Sequence, residues 1–133
     1  MKDLECKVYI TKRFGFEAAH RLDGYDGDCS KLHGHSYKVE VTVSGSVLNT
    51  ENVKDNMVLD FKELGKYTKF ISDIHDHTIL NDLYLTQPTA EMVSIAIYYY
   101  MKEVLPKDVK VESVKVWETE NSYAEYRGEC ENV

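Results

Sequence analysis

The stretch CSKLHGHSY, residues 29–37, sets one cysteine and two histidines within seven positions of a chain that has three cysteines and five histidines in all. Imidazole and thiol are the side chains that bind zinc, attack carbon or move protons near neutral pH. His33 and His35 share parity with Tyr37, Val39, Val41 and Val43, so a strand beginning near Leu32 turns both imidazoles to one face. His20 ends a second alternating series, Phe14, Phe16 and Ala18. Antiparallel pairing of the two strands brings His20 beside His33 and His35. Three neutral imidazoles meeting at one point fit catalytic zinc, which takes three protein ligands and keeps one position open. The competing reading is three separate surface histidines.

Other reactive groups fall around this cluster. Cys29 lies four residues before His33, in a loop over the expected metal. A cation there favours thiolate for attack or proton abstraction; alternatively Cys29 is itself a ligand, or an inert loop thiol. Asp76 and His77, in DIHDHTILN, can form a proton-transfer pair in which the carboxylate orients the imidazole. The plainer reading is a solvated helix end, which also suits His75. Glu118 follows Val114 and Val116 on one strand face. It can accept paired N–H groups from a planar heterocycle, or simply mark where the strand reaches water. Cys6 and Cys130 have no comparable context.

The elements that must position these groups follow from periodicity. Val8 to Ala18 and Tyr37 to Val43 alternate as half-buried strands, with the Gly-rich LDGYDGDC between them. In LDFKELGKYTKFISDI the apolar residues Phe61, Leu64, Tyr67, Ile71 and Ile74 recur every three or four positions, an amphipathic helix. A second helix starts at QPTAEM, with Thr89 as its cap and Glu91 in its first turn, and Pro106 ends it. That helix is apolar nearly all round, so one sheet face cannot cover it, and the first helix or another subunit must. Two more strands, KVESVKVWET and YAEYR, flank the turn-like ENS. The order ββααββ reads as one α+β domain over residues 1–133, an antiparallel sheet with both helices on one face.

Bulk composition narrows the function. The 43% apolar content and ten tyrosines argue for a packed core. A net charge of −7 argues against general nucleic-acid binding. No apolar run is long enough to span a membrane, and few, widely spaced cysteines suit a reducing compartment. A soluble cytoplasmic protein is expected.

In their order, FGFEAAHRL, CSKLHGHSY, LDFKEL, IHDHTILN, PTAE and VWETENSYAEY resemble the family of 6-pyruvoyl-tetrahydropterin and 6-carboxy-tetrahydropterin synthases, over about Val8 to Tyr126. The resemblance implies zinc on His20, His33 and His35, a catalytic cysteine at Cys29, a catalytic pair at Asp76 and His77, and a pterin-anchoring glutamate at Glu118. It implies the tunnelling fold, a barrel completed by oligomerisation, in a homohexamer built as a dimer of trimers. The spacing C-x-x-x-H-G-H is similar to that of the bacterial 6-carboxy enzymes of queuosine biosynthesis, whereas the 6-pyruvoyl enzymes carry a longer insert. The implied activity is a lyase reaction on 7,8-dihydroneopterin triphosphate, giving 6-carboxy-5,6,7,8-tetrahydropterin, acetaldehyde and triphosphate. Zinc would bind the substrate's side-chain hydroxyls, with Lys31 or Arg21 near the loop to offset triphosphate charge. The alternatives are the 6-pyruvoyl reaction, a zinc hydrolase that has no need of Cys29, and a non-catalytic pterin-binding relative.

Overall fold

The structure, a computed structural model, describes residues 5–24, 27, 30–47 and 56–130. Its two long strands are β1, Lys7–His20, and β2, His33–Ser46. They pair antiparallel along their whole length, in a register that sets His20 opposite His33 and Ala18 opposite His35. β1 therefore runs two residues beyond the alternation read from Val8 to Ala18, and so carries His20 within the strand.

Helix α1 spans Phe61–His75, and the Asp60 side chain caps it by accepting from the Lys62 N–H at 2.8 Å. β3, Thr78–Ile79, follows and pairs parallel with Ala18 and Ala19 of β1. A 3-10 turn at Leu80–Asp82 leads on towards α2, Ala90–Val104, whose cap Thr89 accepts from the Met92 N–H. β4, Lys110–Thr119, and β5, Ser122–Tyr126, complete a five-stranded sheet in the order β3-β1-β2-β4-β5. Periodicity gave no sign of β3, because two residues are too few to alternate.

α1 lies over β1, and α2 over β4 and β5. Phe16, Tyr37, Val39, Val41, Val114 and Val116 from the sheet form one core with Leu64, Ile71, Val93, Ile97 and Met101 from the helices. The opposite sheet face carries Thr11, Arg13, Glu17, Ser36 and Lys38, all exposed.

The apolar stripe of α1 differs from the one expected. Its buried residues are Leu64, Thr68, Ile71 and His75, while Phe61 and Ile74 are exposed. Thr68 and His75 can be buried because each donates to its own helix, Thr68 Oγ1 to the Gly65 carbonyl and His75 Nδ1 to the Ile71 carbonyl. Ile74 instead borders an apolar groove of about 520 Å³ between the helices, with Leu83, Leu85, Met92 and Tyr100. The second helix thus keeps part of its apolar surface uncovered within one chain.

Candidate active site

The three histidines meet at the end of the β1–β2 ribbon, and their ligand nitrogens all lie within 4.8 Å of one another. Strand parity puts them on the helix side of the sheet, in line with Phe16 and Tyr37. His20 is buried there and His33 and His35 are half-buried.

Backbone carbonyls fix two of the rings. His20 Nδ1–H donates to the Pro88 carbonyl at 2.8 Å, and His33 Nδ1–H donates to the Lys31 carbonyl at 2.7 Å. A carbonyl oxygen can only accept, so each ring keeps its lone pair on Nε2. Those two Nε2 atoms face each other at 3.1 Å. Two acceptors at that distance repel each other and together attract a shared cation. Two zinc ligands at about 2.0–2.1 Å in tetrahedral array would stand roughly 3.3 Å apart, close to the spacing found. The third ring agrees, because His35 Nε2 is buried with no hydrogen-bond partner among the described residues. Burial lowers the His35 pKa, the Glu118 carboxylate opposes that, and His20 and His33 add to the lowering. A neutral imidazole with a free lone pair is the form a metal binds. The donor set therefore fits a divalent cation.

Below the rings, the buried Tyr37 hydroxyl lies 3.3 Å from His20 Nδ1. Burial first, then the Glu118 carboxylate, pushes its phenol well above the usual range, so it stays neutral.

Glu118 reaches the cluster from β4. Its Oε1 stands 3.9 Å from His20 Nε2, and its side chain is about one-third exposed. The pairing of β4 with β5 slips between Trp117 and Thr119, whose partners Tyr123 and Ser122 are adjacent. Glu118 is the extra residue of that bulge, a device that re-aims a side chain. It borders a cavity of about 600 Å³ with Ser36, Lys38 and Trp117. Ser36 also borders a cleft of about 480 Å³ shared by His35 and His77.

Asp76 and His77 form a pair at the β1 edge of the sheet. His77 Nδ1 donates to Asp76 Oδ2 at 2.8 Å. Glu17 clamps both: its N–H donates to Asp76 Oδ1 at 2.8 Å, and its carbonyl accepts from the His77 N–H at 2.6 Å. The Glu17 N–H first, and His77 second, hold the Asp76 carboxyl below its usual value. His77 sits at φ 58°, a left-handed conformation that few side chains adopt without support. Glu118 on β4 thus stands beside the histidine cluster, while Asp76–His77 lies at the β1 edge. The structure brings His20, His33, His35 and Glu118 together, places His77 on a cleft that His35 also borders, and Cys29 lies outside the described residues.

His75 does not match the solvated helix end expected for it. It is buried, stacks on Phe16 with centroids 4.8 Å apart, and accepts from the Tyr84 hydroxyl at 2.7 Å. Burial is the larger influence and lowers its pKa, while the hydrogen bond to Ile71 opposes it. In the unfolded chain the imidazole protonates around its ordinary 6.5, but in the fold only at lower pH. Its contribution to stability is therefore complete above that value and is lost as the pH falls below it. Urea midpoints measured from pH 7.5 to pH 5 should decline less steeply in His75→Leu than in the wild type. Equal slopes would show that His75 is not the titrating group.

Sequence reading missed the groups that touch the histidines: the Lys31 and Pro88 carbonyls and the Tyr37 hydroxyl, since main-chain acceptors and a tyrosine read as core carry no such signal.

Comparison with known proteins gives the family. The family model of 6-pyruvoyl tetrahydropterin synthase matches residues 9–129. The chain is 34% identical over 140 residues to 6-carboxy-5,6,7,8-tetrahydropterin synthase of Haemophilus influenzae, covering 89% of this chain and 97% of that one. It is 39% identical over 120 residues to the enzyme of the same name from Synechocystis, covering 88% and 91%. The solved structure of Caenorhabditis elegans 6-pyruvoyl tetrahydropterin synthase superposes with a TM-score of 0.78 at 26% identity, over 93% of this chain and 97% of that one. With its own residues matched almost from end to end, the chain belongs to the 6-pyruvoyl tetrahydropterin synthase family.

Proposed function

We propose that the chain is a zinc-dependent 6-carboxy-5,6,7,8-tetrahydropterin synthase, a lyase that converts 7,8-dihydroneopterin triphosphate and one water to 6-carboxy-5,6,7,8-tetrahydropterin, acetaldehyde and triphosphate. One observation carries the reading. Three inward-facing imidazole nitrogens stand beside a bulge-borne carboxylate, in a chain 34% and 39% identical to enzymes of that name. The short C-x-x-x-H-G-H spacing supports placing the product in queuosine (7-deazaguanine) biosynthesis.

His20, His33 and His35 would hold the zinc through Nε2. When bound, zinc supplies a Lewis acid that makes protons beside a developing carbonyl easier to remove. The chain's own residues do the rest. Glu118, held at the cavity wall by the β4 bulge, accepts the ring N–H and amino protons of the pterin and so orients its side chain. Cys29 as thiolate abstracts a proton. His77 passes a proton on, and Asp76, fixed by the Glu17 N–H, holds the imidazole in orientation.

Features of the single chain also support a homohexamer in which association closes the barrel. β3 pairs with β1 only at Ala18 and Ala19, so Lys7–Phe14 present an open edge on one side of the sheet, and β5 forms the other edge. Unpaired strand edges invite another copy. Exposed Phe70, Ile74, Leu83 and Leu85 give apolar surface for contact. Among the described residues no helix is long and apolar enough to cross a membrane, and Cys6 and Cys130 are unpaired; both features suit the cytoplasm.

Incubation with 7,8-dihydroneopterin triphosphate and identification of the products by mass tests the assignment. Acetaldehyde with the 6-carboxy pterin is expected. A 6-pyruvoyl product without acetaldehyde would reassign the reaction within the family, and a simple hydrolysis product would reject it. Glu118→Gln, which exchanges an acceptor oxygen for a donor, should raise KM by about ten- to a hundredfold, the effect of one charged hydrogen bond. Unchanged kcat and KM would remove Glu118 from the site.

A further inference from the structure

β1 ends at His20, and beyond it the main chain has no ladder partner. Two side-chain amides take that place. The Arg21 N–H donates to Asn81 Oδ1 at 2.9 Å, and Asn81 Nδ2 donates back to the Arg21 carbonyl at 3.0 Å. Two residues on, the Asp23 N–H donates to Gln87 Oε1 at 2.8 Å, and Gln87 Nε2 returns a bond to the Asp23 carbonyl at 3.0 Å. The alternation of residues 21 and 23 is that of a strand facing a neighbour, but here carboxamides imitate the neighbour's peptide groups. A carboxamide side chain offers a donor and an acceptor in the planar arrangement of a peptide group.

The segment that supplies the amides is itself anchored. Leu80 is fully buried, and the Tyr84 hydroxyl donates to the buried His75. At its far end, the residue after Gln87 is Pro88, whose carbonyl accepts from His20 Nδ1. The stretch from Leu80 to Pro88 therefore holds both the chain leaving His20 and the His20 ring.

We infer that Asn81 and Gln87 are positioning residues which, by clamping residues 21 and 23 and setting the Pro88 carbonyl, hold His20 Nε2 in place and so determine metal affinity. The inference rests on the three-histidine reading of the metal site. Losing the Gln87 bonds frees the Pro88 carbonyl to drift, and with it the tautomer and rotation of the His20 ring. Removing groups that orient a ligand in this way weakens metal binding about ten- to a hundredfold.

The test is zinc affinity of the full-length chain, measured by competition with a chromophoric chelator. Asn81→Ala and Gln87→Ala should each bind zinc about ten- to a hundredfold more weakly, and their turnover should recover when zinc is saturating. Asn81→Asp and Gln87→Glu keep the shape and lose the donor, so they should fall on the same side of wild type and serve if the alanine variants fold poorly. Thr11→Val, which removes a 2.7 Å hydroxyl contact with Thr42 on the opposite sheet face, should leave zinc affinity unchanged. Amide variants within about twofold of wild-type affinity, or turnover that excess zinc does not restore, would overturn the clamp. A wild-type chain that binds no zinc would instead overturn the metal reading, and the inference with it.

Discussion

Exchanging His35 for alanine removes zinc and turnover together. The expected fall in zinc affinity is on the order of a hundred- to a thousandfold, since the ~10–16 kcal/mol of apparent zinc binding in small sites is shared among a few ligands. The buried Nε2 of His35 has no other partner among the described residues, so its one evident use is to bind a cation. The variant should still fold, because the strand is held by Tyr37, Val39, Val41 and Val43, all fully buried. Metal analysis after gel filtration, with circular dichroism to check the fold, separates the two effects. A folded His35→Ala chain that retains wild-type zinc would remove His35 from the ligand set.

Cys29→Ala behaves differently, keeping zinc while kcat falls by about 10²–10⁴-fold, the contribution typical of a proton-transfer group. The contrast with His35→Ala is the informative part. If Cys29 is a base, its loss leaves three imidazoles and their carbonyl partners untouched. If it is a ligand, zinc leaves with it. Parallel measurement of zinc content and kcat decides between the two, and loss of metal would reject the base role.

The site was more legible in the sequence than the core was. A strand's period of two is rigid, so His33, His35 and the valines after them had to share a face, and antiparallel pairing across the loop sets His20 opposite His33. A helix is less strict. In α1 the apolar letters Phe61, Tyr67 and Ile74 suggested a stripe, yet Thr68 and His75 are the buried neighbours of Leu64 and Ile71. Their polar atoms are satisfied by carbonyls one turn back, which no hydropathy pattern records. Glu118 was visible by parity, but the bulge that aims it was not, because a slip in pairing depends on the partner strand. The groups that hold His20 and His33 are main-chain carbonyls and belong to no residue type.

A metal ion held by His20, His33 and His35 at the point of reaction is the centre of the proposed mechanism. Titrating zinc into chelator-treated protein while following acetaldehyde release tests this most directly. Turnover should be absent at the start and rise linearly, then level off near one zinc per chain, the stoichiometry of a three-histidine site. Full turnover in protein shown to be free of metal would contradict it.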